Sequence, residues 1–368
     1  MKIIEIITFL GAGGAERFVV DLSNELAKEN EVYLLTLLND QKDAETRSFY
    51  KFAIDTKVKY VNLGLPNGLK IDSQIAVKKA IEQIDPDIIH FHMVPTIKYS
   101  AIATFLLAWK YKIYFTVHSD LHNGYDCGFA KFTFNTLGKW GRIKLICLSN
   151  KNYEDFSKFY SSKINIRCIV NGRSPIIATE KIESVQEELN NLRSSENSLL
   201  FLHIARFNPQ KNQKLLIDTF NIILEEHANI DLAIIGGGFD TDEGKKLQKI
   251  AHKNIHFLGT RKNIADYMLS SDVFCLSSDF EGMPITLLEA SLAGVPAVST
   301  PVCGAVDLIK DGINGILSTG HSVEEYKQAI LKAINNFSNL KKNAMKMKEN
   351  SPYTIAECAS KYLDYFKE

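Results

Sequence analysis

The sequence predicts an α/β fold made of two doubly wound parallel sheets, each in a domain of its own. Three observations carry that expectation. Short, continuous apolar and β-branched runs recur along the whole chain, the pattern of parallel strands buried on both faces. Amphipathic segments of helix length separate them, so strand and helix signals alternate throughout. At 368 residues the chain exceeds one ordinary hydrophobic core, and the usual domain size of roughly 150 to 200 residues favours two.

Taken in order, IIEIITFL, EVYLLTLL, VKYVNLG, DIIHFH, KIYFTVHS, KLICLS and IRCIV supply the first sheet, and LLFLHIAR, DLAIIGGG, NIHFLGT, VFCLSS and PAVSTP the second. The stretch from Asn171 to Ser198 opens on Asn-Gly, passes a Ser-Pro and continues as charged, polar sequence with little strand character. The expected division is an N-terminal domain over 1–172, a linker over 173–197 and a C-terminal domain over 198–351. Beyond Ser351-Pro352, YTIAECASKYLDYFKE is amphipathic with a helical period and reads as one last helix over 352–368.

With 45% hydrophobic and 23% charged residues the composition is that of a folded protein, and 43 basic against 43 acidic residues leave no excess to favour nucleic acid. Any bound anion must therefore be held locally. Cys127, Cys147, Cys168, Cys275, Cys303 and Cys358 are scattered, without a C-x-x-C pair or zinc spacing, and read as reduced thiols in a cytoplasmic setting. The opening MKIIEIITFLGAGG reads as a strand and not a signal peptide. No stretch approaches the roughly 20 apolar residues that span a bilayer.

In open α/β sheets ligands bind where strands end and helices begin, so a site is expected among the motifs there. Gly11, Gly13 and Gly14 follow the first strand and open a helix, whose free N–H groups and positive end suit a phosphate or sugar hydroxyl; a plain packing turn is the other reading. Glu16 stands where a dinucleotide fingerprint wants its third glycine, which argues against nicotinamide or flavin. Arg206 and Lys211, five residues apart after the first strand of the second half, can grip a diphosphate or lie solvated. Gly236 and Gly237 follow the next strand. In FEGMPITLLEASLAGVP, Pro284 suits the start of a helix and Gly294 its end, which puts Glu281 on the loop before it and Glu289 on the helix. Such carboxylates can take sugar and ribose hydroxyls. His118 ends another first-half strand. His90 and His92 share a strand face and could pair on a metal, but no third ligand is evident, and no metal or cofactor is expected.

Together GGAERFVVDLS, the pair Arg206 and Lys211 in ARFNPQKN, and EGMPITLLEASLAGVPAVST resemble the family-4 retaining glycosyltransferases of the GT-B fold, across essentially the whole chain. The resemblance implies an acceptor domain first, rejoined by the C-terminal helix, and a donor domain second. It implies donor binding by Gly13, Gly14, Arg206, Lys211, Gly236, Gly237, Glu281, Gly282, Met283, Pro284, Ile285 and Glu289. Glu281, His118, Arg206 and Lys211 would serve the chemistry, in which the leaving phosphate helps deprotonate the acceptor. The family's usual glycines are Ala205 and Asn212 here. Asp240-Thr241-Asp242 matches a metal motif of the other main glycosyltransferase fold and is discounted as surface acidity.

The expected reaction is transfer of a hexose or N-acetylhexosamine from a nucleotide diphosphate sugar, by family frequency a UDP-sugar, to a saccharide or lipid-linked acceptor in surface polysaccharide synthesis. A GT-B epimerase or phosphorylase, or a non-catalytic nucleotide-sugar-binding partner subunit, are the alternatives. In FAKFTFNTLGKWGRIK, Phe129, Phe132, Phe134 and Trp140 interleave with Lys131, Lys139, Arg142 and Lys144, fitting either the inner face of an anionic membrane or a helix covering the first sheet.

Overall fold

The computed structural model describes residues 1–40, 47–68, 70–122, 124–126, 128–160, 164–227 and 229–368; Cys127 lies outside them. They form two compact units, Met1–Ser174 with Tyr353–Glu368, and Pro175–Pro352.

The first unit runs β1 (Lys2–Ile7), α1 (Gly14–Leu26), β2 (Glu31–Leu38), β3 (Lys59–Leu65), α2 (Ile71–Ile84), β4 (Ile88–His92), α3 (Val94–Leu107), β5 (Lys112–Val117), α4 (Gly128–Thr133), β6 (Ile143–Cys147), α5 (Asn150–Phe159) and β7 (Asn165–Cys168). Its seven strands are ordered β3-β2-β1-β4-β5-β6-β7. All pair in parallel. The continuous apolar runs are explained by burial of both faces: Ile4, Ile6, Leu35, Ile89, Phe115 and Leu145 share one core on one face, and the alternating Ile3, Leu34, Tyr114 and Ile146 are buried as well, while the edge strands β3 and β7 are half-exposed.

The second unit runs α6 (Ile182–Leu192), β8 (Leu199–Ile204), α7 (Gln213–Glu226), β9 (Ile230–Ile235), α8 (Asp242–Ile250), β10 (Ile255–Gly259), α9 (Ile264–Leu269), β11 (Val273–Leu276), α10 (Ile285–Ala293), β12 (Ala297–Ser299), α11 (Ala305–Leu308), β13 (Gly315–Leu317), α12 (Val323–Asn335) and α13 (Phe337–Glu349). Six parallel strands are ordered β10-β9-β8-β11-β12-β13. The strand β13, only Gly315–Leu317, is too short to show as a run.

The stretch expected as a linker is largely α6, part of the second unit. Val185 and Leu189, one turn apart, are buried there on the helix side that packs against α9. Glu188 takes Arg261 at 2.8 Å and the Tyr267 hydroxyl at 2.5 Å, which fixes the same helix at a second point.

After α13 the chain returns to the first unit as α14 (Ile355–Lys367), which starts where the Thr354 hydroxyl accepts from the Glu357 N–H rather than at Ser351-Pro352. Tyr362, Tyr365 and Phe366 are fully buried, and the Tyr114 hydroxyl donates to the Tyr365 carbonyl at 2.8 Å. Backbone bonds of 3.0 Å join Arg173 to Tyr353 and Ile355 where the returning chain meets the outgoing one. Buried Asp21 of α1 locks this junction, with Arg17 at 3.0 Å and Arg173 against its other oxygen.

Removing one partner of a buried ion pair leaves its cations uncompensated, at a cost of about 3 kcal/mol. Asp21→Ala is therefore expected to lower unfolding free energy by about that amount in urea titrations, with α14 losing amide protection before the rest of the first unit.

Candidate active site

Both sheets reverse direction beside their first strand. The chain leaves β8 on one side toward β9 and β10, then crosses to β11 on the other. A crevice opens at the strand ends at such a point, and here the loops after β8 and β11 meet in it. Lys211, on the first loop, places its ammonium 2.5 Å from Glu281 Oε1 on the second. The Ser278 hydroxyl donates to the same oxygen at 2.6 Å, while Oε2 has a long 3.5 Å contact from Gln210. Glu281 is 7% exposed while the Lys211 side chain is 27% exposed, so the carboxylate is the withdrawn partner and relies on the ammonium for compensation.

The two loops are stitched further. Asp279 N–H donates to the Gln210 carbonyl at 2.9 Å, the Ser277 hydroxyl to the Lys211 carbonyl at 2.9 Å, and Asn212 Nδ2 to Asp279 at 2.8 Å. Asn212 occupies the left-handed region, with φ 45°, and its side-chain oxygen caps α7 on the Leu215 N–H. Asparagine tolerates that conformation, so it can serve where the resemblance implies a glycine. Below the loop lies His203, buried and pushed down to about 4 by burial, with Lys211 adding to the shift. Its Nδ1 bonds the Cys275 carbonyl at 3.0 Å, so its Nε2 faces Gln213, which in turn donates to the Arg206 carbonyl.

Arg206 itself is exposed. Gly236 crosses directly above, where a Cβ would fall 1.9 Å from the Ala205 carbonyl oxygen. Its φ of 154° also suits glycine. Gly237 accepts the Phe207 N–H at 2.8 Å. Gly282, Met283, Pro284 and Ile285 are buried and lead into α10, whose N-terminus carries no side-chain cap and so keeps amides for an anion. Glu289 is buried on that helix at 8% exposure and has interaction partners of its own. Asp240 and Asp242 are exposed beside the N-terminus of α8, which the Thr241 hydroxyl caps; their acidity suits that helix end.

In the first unit the reversal lies between β1 and β4. Gly13 and Gly14 lead into α1 there, but the helix end is not bare: the Glu16 carboxylate folds back to where a Cβ of Gly13 would be. His118 follows β5, half-buried, with its backbone N–H on the Tyr125 hydroxyl at 3.2 Å. Its Nε2 is 2.9 Å from His92 Nδ1, and His92 Nε2 is 2.6 Å from Glu5 Oε2.

Glu5 is the third group beside His90 and His92 that the sequence did not reveal, because it sits inside an apolar run of β1. Strand register sets it opposite His90, whose Nδ1 is 2.7 Å from the same oxygen. These three could in principle ligate a metal. Ligand atoms about 2.0 Å from a tetrahedral zinc stand roughly 3.3 Å apart, however, and separations of 2.6 and 2.7 Å are those of hydrogen-bonded or ion-paired groups. Burial would raise the Glu5 carboxyl, but His90 and His92 outweigh it and hold it at about 2.

The five described cysteines are free thiols. Among the described residues no helix is long and apolar enough to cross a membrane.

Comparison with known proteins covers both units. Residues 12–175 match the model of Glycosyltransferase Family 4, and residues 184–352 that of Glycosyl transferases group 1. The chain is 27% identical over 320 residues to the UDP-Gal:alpha-D-GlcNAc-diphosphoundecaprenol alpha-1,3-galactosyltransferase of Escherichia coli, covering 80% of this chain and 76% of that one. It is 38% identical over 106 residues to the capsular polysaccharide biosynthesis glycosyltransferase CapH of Staphylococcus aureus, 27% of this chain and 29% of the relative. Among solved structures, Anabaena HepE in complex with UDP and glucose superposes with a TM-score of 0.79 at 19% identity, over 100% of this chain and 99% of that one.

Because the loop bearing Arg206 has no room beside Gly236, Gly236→Ala is expected to displace it and cost about 2 kcal/mol in urea unfolding, the range of backbone strain combined with overpacking. An unchanged midpoint would show that the two loops are not in register as described.

Proposed function

The chain belongs to the family-4 glycosyltransferases of the GT-B fold, and from that premise we propose a retaining enzyme that moves a hexose or N-acetylhexosamine from a UDP-sugar to a glycan or lipid-linked acceptor in surface polysaccharide synthesis. The observation that carries the reading is the Lys211–Glu281 pair where the strand order reverses, beside exposed Arg206 and the uncapped start of α10.

An ammonium has three N–H donors; with one engaged by Glu281, Lys211 keeps others for a diphosphate. Arg206 and the first amides of α10 address the same charge. That charge grows as the glycosidic bond breaks, so these groups stabilise the transition state more than the bound donor. Glu281 Oε1 is occupied by Lys211 and Ser278, which leaves Oε2 to accept a sugar hydroxyl. Glu289 takes the ribose diol, Gly236, Gly237 and the backbone of 282–285 line the nucleotide, Gly13 and Gly14 address the donor, and His118 contacts the reacting sugar. Retention follows when the acceptor attacks on the face the diphosphate leaves, with a phosphate oxygen taking its proton. Such a route asks for cations and amides more than for a protein base. A UDP donor and a lipid-linked acceptor are supported by the Escherichia coli relative's name, and UDP also by the HepE complex.

The acceptor side has its own support. Phe134 is fully buried and belongs to the core, but Phe129, Phe132 and Trp140 are more than half exposed, and α3 adds Ile102, Leu106 and nearby Trp109. Trp109 and Trp140 pack with ring centroids 5.9 Å apart at a 41° tilt, and Arg142 lies over Trp109 at 4.2 Å. An exposed aromatic patch with basic neighbours suits the headgroup layer that holds a lipid-linked acceptor. We place the enzyme in the cytoplasm, at the inner membrane face.

UDP or its sugar at 100 times Kd is expected to stabilise the protein by about 2.7 kcal/mol in thermal unfolding, and Glu281→Ala to abolish transfer while the variant stays folded. Stabilisation by no nucleoside diphosphate, or unchanged turnover in the variant, would overturn the donor site. The Trp109→Ala/Trp140→Ala pair is expected to reduce co-sedimentation with anionic vesicles severalfold; equal sedimentation would remove the membrane from the reading.

A further inference from the structure

In the first unit, buried polar groups that the proposed chemistry does not use lead up to His118, the half-buried histidine that it does use. The series starts at Glu5 in the middle of β1, fully buried, and runs through His92 on β4 to His118 after β5. A second branch leaves the same carboxylate through His90, whose Nε2 is 2.7 Å from the Thr116 hydroxyl, itself 3.1 Å from the Tyr362 hydroxyl on α14. Glycan transfer needs no carboxylate in the middle of a sheet. An isolated one would cost several kcal/mol to bury, so the group answers some other requirement.

The protons along the chain are determined by the geometry. Glu5 is a carboxylate and accepts. A bare His92 Nε2 at 2.6 Å from it would set two lone pairs against each other, so that nitrogen carries hydrogen. A neutral ring has one N–H, which leaves His92 Nδ1 bare. At 2.9 Å from His118 Nε2 it must be the acceptor, and His118 Nε2 the donor. We propose that Glu5 and His92 are positioning residues that hold His118 as its Nε2–H tautomer, presenting Nδ1 as a hydrogen-bond acceptor to a hydroxyl of the reacting sugar. This rests on the assignment of His118 to that sugar.

Burial, with His90 adding to it, holds His92 down at about 4, so a second ring proton that would blur the assignment is absent at neutral pH. Burial with His92 and His90 places His118 well below the ordinary histidine range too, so its ring is neutral. Among the described residues His118 Nδ1 has no hydrogen-bond partner, while Phe18 of α1 packs on both rings, with centroids 5.8 Å from His118 and 6.4 Å from His92. The ring is thus restrained in plane by packing and in tautomer by Glu5, the logic by which a carboxylate orients a histidine elsewhere in catalysis.

The tautomer is read directly by long-range proton–nitrogen correlation spectra of the intact protein labelled with nitrogen-15 histidine, with His118 identified by its loss in His118→Ala. The wild-type spectrum at neutral pH is expected to show a protonated Nε2 and a bare Nδ1. In Glu5→Gln, an amide donating to His92 Nε2 reverses the chain and moves the His118 proton to Nδ1. Its kcat is expected to fall about 10- to 100-fold with donor KM little changed, the worth of one hydrogen bond to a reacting group. A wild-type His118 protonated at Nδ1, or at both nitrogens, overturns the tautomer assignment without any variant. So does a folded Glu5→Gln with unchanged tautomer and kcat. Full activity in His118→Ala instead removes the sugar contact while leaving the tautomer reading standing, which separates the two failures.

Discussion

In each unit the first strand enters the middle of a parallel sheet, and the chain then builds outward to one side before crossing to the other. Right-handed crossovers put the connecting helices on one face while a parallel sheet grows in one direction and on the other face when it grows the other way, so covering both faces calls for a reversal. The reversal leaves two neighbouring loops diverging to opposite faces, so the strand ends between them are uncovered. Lys211 and Glu281 meet across one such point, and Gly13, His92 and His118 gather at the other. The chemistry is placed by topology before any side chain is chosen.

What the side chains then require is compensation. Glu5, Asp21 and Glu281 are carboxylates buried almost completely, and each is answered differently. Asp21 is gripped by two arginines and holds the α1–α14 junction. Glu5 is answered by two histidines, which can transmit a tautomer, whereas arginine would only neutralise charge. Glu281 is answered by a lysine, whose ammonium on a flexible stem can hold the carboxylate and turn a second N–H to another anion. The partner differs as the proposed role differs, from fixed clamp at Asp21 to tautomer lock at Glu5 to shared donor at Glu281.

Much of this was legible in the sequence because it rests on local pattern. Continuous apolar runs mark strands buried on both faces, and Pro284 with Gly294 brackets α10 and so separates a loop glutamate from a helical one. What the sequence hid has a common cause in distance along the chain. Glu5 looks like an interruption in IIEIITFL until the sheet brings β4 alongside, 85 residues later by the Glu5 and His90 register. Ser278, Gln210 and Gln213, which hold the Lys211 loop, are ordinary polar residues with no motif. The segment 182–192 reads as charged linker because a two-residue apolar seam, Val185 and Leu189, suffices when a neighbour already waits. Gly13 keeps its place for a reason spacing alone could not supply, since the Glu16 carboxylate occupies its missing side chain's space.

That last contact bears on how the two glycine-bearing loops differ. A helix N-terminus attracts anions through its free amides, and neither α1 nor α10 has a side-chain cap, but the first turn of α1 carries the Glu16 carboxylate folded back beside Gly13, whereas the first turn of α10 carries no acidic residue. A diphosphate approaching α1 would meet negative charge; one approaching α10 would meet amides, Lys211 and Arg206. On the proposed reading the diphosphate is therefore held by the second unit. Gly13 and Gly14 are better suited to neutral sugar hydroxyls than to phosphate, which is also what a neutral, acceptor-presenting His118 after β5 would accommodate.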